Sequence, residues 1–121
     1  EVLRYMLPRK SGTILSTGAS ASIRGKSGYC AFSGGKQALR ALAQSLAREV
    51  GPKGIHVSHV IIDGLIENDN ARSLFPEDFD SRPKDGILQP AEIAEAYWQL
   101  YNQHKSAWTF EIVLRPYSEP W

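Results

Sequence analysis

The sequence predicts an α/β fold with about three parallel strands joined by crossover helices. Three observations carry that expectation. Strand-like runs at 12–18, 54–62 and 108–114 are separated by segments of helical periodicity. Strands alternating with helices of this length pair in parallel, because each crossover returns the chain to the same end of the sheet. The 121 residues, 42% of them apolar, suit a single domain spanning 1–121, which would bury about two-thirds of its unfolded surface.

The elements follow in order. Leu3 to Lys10 reads as the end of a helix, closed by Pro8 and a basic pair. Gly12-Thr13-Ile14-Leu15-Ser16-Thr17-Gly18 is a β-prone run between glycines, a strand feeding a loop. From Ala31 to Val50, Leu39, Leu42, Leu46 and Val50 recur at three- and four-residue steps, with Ala38, Ala41 and Ala43 around them. Gly51-Pro52 ends that helix. The run Gly54 to Ile62 is β-branched and almost continuously apolar at its end, which predicts a strand covered on both faces and turning at Asp63-Gly64.

The segment 67–89 is polar, rich in Asp and broken by Pro76, Pro83 and Gly86. It reads as a lid-like functional loop or a partly disordered one. Pro90 sits where the first residue of a helix belongs, and Ile93, Tyr97, Leu100 and Tyr101 carry the stripe towards His104. Trp108 to Leu114 reads as the last strand, and Pro116 closes it.

Composition excludes several functions. Fourteen basic against thirteen acidic residues, scattered along the chain, favour neither nucleic acid nor an anionic membrane. No apolar run approaches the roughly 18 residues of a spanning helix, and the first residues do not read as a signal peptide. Cys30, the only cysteine, forbids an internal disulfide, suits a reducing cytoplasm and reads as a small buried hydrophobe. His56 and His59 have odd spacing on a strand, so they point to opposite faces and are read as structural, with no metal between them. Trp98, Trp108 and Trp121 read as core or interface anchors, since no basic groove accompanies them. The chain opens on Glu1 rather than Met, which suggests a processed product or a piece of something longer.

The stretch with chemistry is Tyr29-Cys30-Ala31-Phe32-Ser33-Gly34-Gly35-Lys36, at the start of the long helix. It resembles the Tyr-x-x-x-Lys signature of the short-chain dehydrogenase/reductase family, with Phe32 at the tyrosine position. Gly12–Leu15 resembles the strand before the family's active-site serine. Asp63-Gly64-Leu65-Ile66 resembles its Pro-Gly-x-Ile turn, with Asp for Pro, and Pro90–Leu100 resembles the helix before its last strand. Singly these motifs are unspecific; together, in family order and spacing from Met6 to about Leu114, they carry the resemblance. It implies the C-terminal part of a Rossmann-like doubly wound sheet.

The family transfers a hydride between a nicotinamide cofactor and a carbonyl or alcohol. Its tyrosine is the acid/base, with a pKa lowered by the lysine. Carried over, Lys36 is the ribose-binding lysine, Phe32 the non-functional tyrosine position, and Ala19 the serine position by spacing. Gly64 and Ile66 would meet the nicotinamide, Ile66 through its backbone. The resemblance implies NAD or NADP only if a first half is present, because these residues hold no Gly-rich phosphate loop.

Tyr29 is a possible substitute acid, seven residues before Lys36 and so about 4.5 Å further along the axis than the position it would replace. Gly28 would instead keep it outside the helix. Ser20 and Ser16 are further hydroxyls, although serines beside glycine commonly serve turns, and Asp63 is either an acid/base group or a turn former.

Two functions are therefore expected. One is NAD(P)-dependent oxidoreduction of a small-molecule substrate, absent from these residues alone. The other is a non-catalytic half-domain serving assembly, a homo-oligomer through the 32–50 helix or the exposed sheet edge.

Overall fold

A computed structural model describes residues 1–120; the Trp121 anchor lies outside the described residues. The element order is α1 (Leu3–Arg9), β1 (Gly12–Ala19), α2 (Cys30–Val50), β2 (Ile55–Ile62), α3 (Asp69–Leu74), α4 (Pro76–Asp80), α5 (Pro90–Tyr101) and β3 (Glu111–Leu114). The strands form one parallel sheet in the order β1-β2-β3. Gly12 pairs with Ile55 and Ala19 with Ile62, while β3 pairs from His59–Glu111 to Ile62–Leu114.

Strand periodicity divides the core into two layers. Ile55 and Val57 point to the face covered by α1 and α2, where Val50, Leu46, Leu3, Met6 and Ile14 meet them. Val60 and Ile62 point to the other face, against Leu100, Ile93, Tyr97, Leu15 and Leu114. Every residue of β2 is buried, as its near-continuous apolar sequence predicts for a central parallel strand.

Four sequence expectations are corrected. Pro8 lies inside α1, which runs to Arg9 and ends at Lys10 in the left-handed conformation. The buried face of α2 is Ser33, Ala43 and Val50, and Leu42 is 63% exposed. Leu42 precedes Ala43 by one residue, about 100° of rotation, which turns it off the sheet. The 67–89 segment is a structured excursion: Asn68 caps α3 by accepting the Ala71 N–H at 2.7 Å, Pro76 opens α4, and Phe79 is buried. Finally, β3 starts at Glu111, because 105–107 form a 3-10 turn and Trp108 stacks flat on His56 at 4.9 Å instead of extending the strand.

Candidate active site

The C-terminal ends of β1 and β2 stop beside the start of α2, and a cleft of about 500 Å³ opens there. Its walls come from the end of β1 (Ala19), from the β1–α2 connection (Arg24, Tyr29), from α2 (Phe32, Ser33), from the turn after β2 (Asp63, Gly64), and from Arg82 and Glu119. Ligands of open α/β sheets bind outside the carboxyl ends of the strands, and this cleft lies at that end.

Phe32 is one helical turn before Lys36 and 49% exposed, so it is a wall of the cleft and not a packed filler. Tyr29 is the residue before the first helical position of α2, outside the helix, with its ring edge-on to Phe32 at 6.2 Å. The two rings therefore share the cleft, although Tyr29 is not on the helical face with Lys36. Cys30 opens α2 and is exposed, contrary to the buried role expected for it, because the first turn projects beyond the sheet.

Lys36 stands just outside the cleft. Its ammonium donates to the Thr17 carbonyl at 3.0 Å and lies 5.8 Å from the centre of the Phe32 ring. Thr17 Oγ1 in turn shares a 2.6 Å hydrogen bond with the Tyr97 hydroxyl. Ala19 brings no hydroxyl; its N–H donates to Ser22 Oγ at 3.0 Å. Ser20 lines the cleft, whereas Ser16 donates to the Ser58 carbonyl at 3.2 Å, a structural contact.

The turn after β2 is built for Gly64. Its φ is +151°, and a methyl group there would lie 2.8 Å from Pro116 Cδ. Ile66 is on a separate apolar hollow with Leu15, Ile93, Tyr97 and Trp98. The Ile66 carbonyl accepts from the Asn68 side chain at 3.0 Å, while neighbouring Leu65 and Glu67, not Ile66, make the backbone bonds to Leu88. The Ile66 N–H therefore has no partner among the described residues.

Asp63, a residue of uncertain role in sequence, is buried and ion-paired. Arg24 Nη2 donates to its Oδ1 at 3.2 Å, and Arg115 Nη1 is 3.8 Å from its Oδ2. Arg115 also donates to the Glu119 carbonyl, and the Glu119 carboxylate pairs with Arg82. Sequence reasoning missed Arg24, Arg82 and Glu119, which converge from segments with no periodic signal. Ser33 was within reach, since it lies three residues before Lys36 on the same side of α2.

His56 and His59 are both buried, on opposite faces of β2. His56 Nε2 meets the Thr109 carbonyl at 2.9 Å, and His59 Nδ1 meets Glu111 Oε2 at 2.9 Å. Arg40 grips the same carboxylate through two bonds of 2.7 and 2.9 Å, holding the Glu111 carboxyl below the usual carboxylate range, with His59 adding to the effect. Trp98 is 60% exposed and stacked on Tyr101 at 5.5 Å, so it anchors no core.

The sequence pattern of the short chain dehydrogenase family matches residues 1–78. A short-chain dehydrogenase from Rhodopseudomonas palustris is 48% identical, with a TM-score of 0.71, and the match covers 95% of this chain and 43% of that one. The 3-oxoacyl-acyl-carrier-protein reductase FabG of Salmonella typhimurium is 36% identical over 73 residues, which are 60% of this chain and 30% of the relative. Carbonyl reductase family member 4 of Danio rerio is 33% identical over 78% of this chain and 39% of its own length. A serine dehydrogenase complexed with NADP+ shares the fold at a TM-score of 0.81 and 18% identity. The chain thus spans less than half the length of these curated relatives. Among the described residues no helix is long and apolar enough to cross a membrane. Strand order, cleft position and family pattern agree, and the chain belongs to the short chain dehydrogenase family.

Proposed function

We propose that these residues form the C-terminal half of an NAD(P)-dependent carbonyl or alcohol oxidoreductase, and that alone they turn over no substrate. One observation carries the reading: one helical turn before Lys36, a phenyl ring borders the cleft where the reaction needs a proton donor. Ala19 brings no second hydroxyl to that wall.

The residues present fit one end of the cofactor. Among the described residues the Ile66 N–H is an unused donor suited to a carboxamide, and the Lys36 ammonium spends one of its three donors on Thr17, leaving two for ribose hydroxyls. A pyrophosphate cradle is another matter, since Gly34 and Gly35 lie inside α2 and do not form a loop opening it. When bound, the cofactor supplies or accepts the hydride. In a longer form of the protein, the cleft holds the small-molecule substrate, and the proton passes to or from Tyr29, Ser20 or water. The single unpaired Cys30 suits the cytoplasm, where we place the protein.

Calorimetric titration of NADH and NADPH tests this. The 121-residue chain is expected to give no binding heat at millimolar cofactor. In a form extended to the length of the relatives, Lys36→Ala is expected to weaken cofactor binding about ten-fold, the loss of one charge-assisted bond. Tight binding by the short chain, or unchanged affinity in that variant, overturns the reading.

A second reading, an assembly module, has its own support. β1 is paired on one side only, and α2 exposes Ala38, Ala41, Leu42 and Ser45 together. On this reading the chain is a homodimer through α2 or the β1 edge. Light scattering at micromolar concentration should give the dimer mass, and Leu42→Glu should shift it to monomer without loss of helicity. A monomer in both removes the assembly reading.

A further inference from the structure

We propose that the end of the sheet opposite the cleft docks an acidic polypeptide segment of a partner protein, through Arg9, Lys10, Lys53 and Lys105. The chain scatters these residues and the fold gathers them. Gly12 opens β1 and Gly54 immediately precedes β2, so the hollows they border lie at the N-terminal ends of the strands, away from the cleft. One hollow, of about 640 Å³, is lined by Lys10, Lys53 and Lys105 with Leu7 and Pro52. The other, of about 740 Å³, shares Gly54 and Lys105 with it and adds Arg9. Gly54 permits the meeting: its φ is +89°, and a methyl group there would overlap the Lys10 carbonyl.

Charge is the first observation. All four cations are exposed, and none forms an ion pair among the described residues. Arg9 Nε donates to the Ser11 carbonyl at 2.8 Å, and no carboxylate lines either hollow. A basic residue in the last turn of a helix complements the helix dipole, which accounts for Arg9. Lys53 and Lys105 lie beyond Val50 and Tyr101, the last residues of α2 and α5, where that effect has faded. Their positive field is left for a partner, and such a patch steers acidic surfaces towards itself.

The helix ends choose the ligand. α1, α2 and α5 all finish at this end of the sheet, and a helix C-terminus presents carbonyl groups. Compact phosphates are held by N–H groups at helix N-termini, which this end does not offer. An acidic peptide brings carboxylates for the ammonium groups and backbone N–H donors for the carbonyls, so it complements both.

None of these four residues borders the cleft, so the proposal stands or falls apart from the oxidoreductase reading. The 15N-labelled chain is titrated by NMR with a capped Asp-Gly repeat peptide, with its Asn-Gly counterpart, and with inorganic pyrophosphate. The acidic peptide should shift the Gly12, Gly54 and Lys105 amides saturably, and the neutral one should not. Raising salt from about 0.1 M to about 1 M should abolish binding, because the screening length falls from about 10 Å to about 3 Å. Lys53→Gln combined with Lys105→Gln should weaken the acidic peptide about ten-fold, as the loss of two exposed ion pairs warrants, with the spectrum otherwise intact. Lys84→Gln, an exposed lysine outside both hollows, should leave it unchanged. Equal binding of the neutral peptide, absence of saturation, an unaffected double variant, or equal weakening by Lys84→Gln each overturns the proposal. Tighter binding of pyrophosphate than of the peptide also overturns it and assigns the patch to a phosphate ligand.

Discussion

Gly18→Ala is expected to destabilise the chain by about 3 kcal/mol, the upper range for forcing a methyl into a packed interior, which lowers Tm by about 10 °C for a domain of this size. A methyl at Gly18 would overlap His59 Nε2, and would lie 2.6 Å from Cε1 of the same ring and from Ser22 Oγ. None of these atoms can retreat cheaply. The His59 ring is fully buried, and its Nδ1 donates to Glu111 Oε2. Ser22 is also buried, with its oxygen accepting the Ala19 N–H. Gly25→Ala is the control, since nothing lies within 4 Å of a methyl there. Thermal melts of both variants by circular dichroism check the contrast, and equal melting temperatures would contradict the packing described around His59.

The same close contact explains why much of the site was illegible in the sequence. Strands and helices announced themselves through periods of two and 3.6, so β1, β2 and α2 were readable to within a residue or two, and α5 to within three. The parallel sense of the strands followed from their alternation. What periodicity does not encode is which polar groups meet across the fold. Gly18 reads as punctuation and His59 as an isolated strand residue, yet one exists to admit the other. Asp63 reads as a turn former, and only the folded chain brings Arg24 and Arg115 to it from 39 and 52 positions away. Leu42 misled for the opposite reason, because a Leu at four-residue spacing fits the stripe in sequence but stands about 100° from buried Ala43. The 67–89 segment was unreadable because α3 and α4, of six and five residues, are too short for a period and rest on an Asn cap and a proline.

Glu111→Gln is expected to cost about 2 kcal/mol at neutral pH and to flatten the acid limb of the stability curve. Glu111 joins three elements, accepting two bonds from Arg40 on α2 and one from His59 on β2, while lying on β3 itself. Breaking a buried pair costs about 3–5 kcal/mol and an exposed one under about 1 kcal/mol. The side chains here are 36% and 22% exposed, so solvent screening places this pair between those limits. The Arg40 fork, and secondarily His59, hold the folded carboxyl below its ordinary value of 4.5. A depressed folded pKa contributes stability that is present above the unfolded value and lost as pH falls through the folded one. Wild type should therefore weaken as pH drops below about 4.5, through protonation of this carboxylate among others. The amide variant keeps the shape, retains one acceptor for Arg40 or His59, and has no charge to titrate. Urea unfolding from pH 7 to pH 3 measures the difference: the gap between wild type and variant should be widest at pH 7 and close towards pH 3. A gap independent of pH would mean that the Arg40–Glu111 contact acts through packing and not through charge, and that α2 is tied to β3 by shape alone.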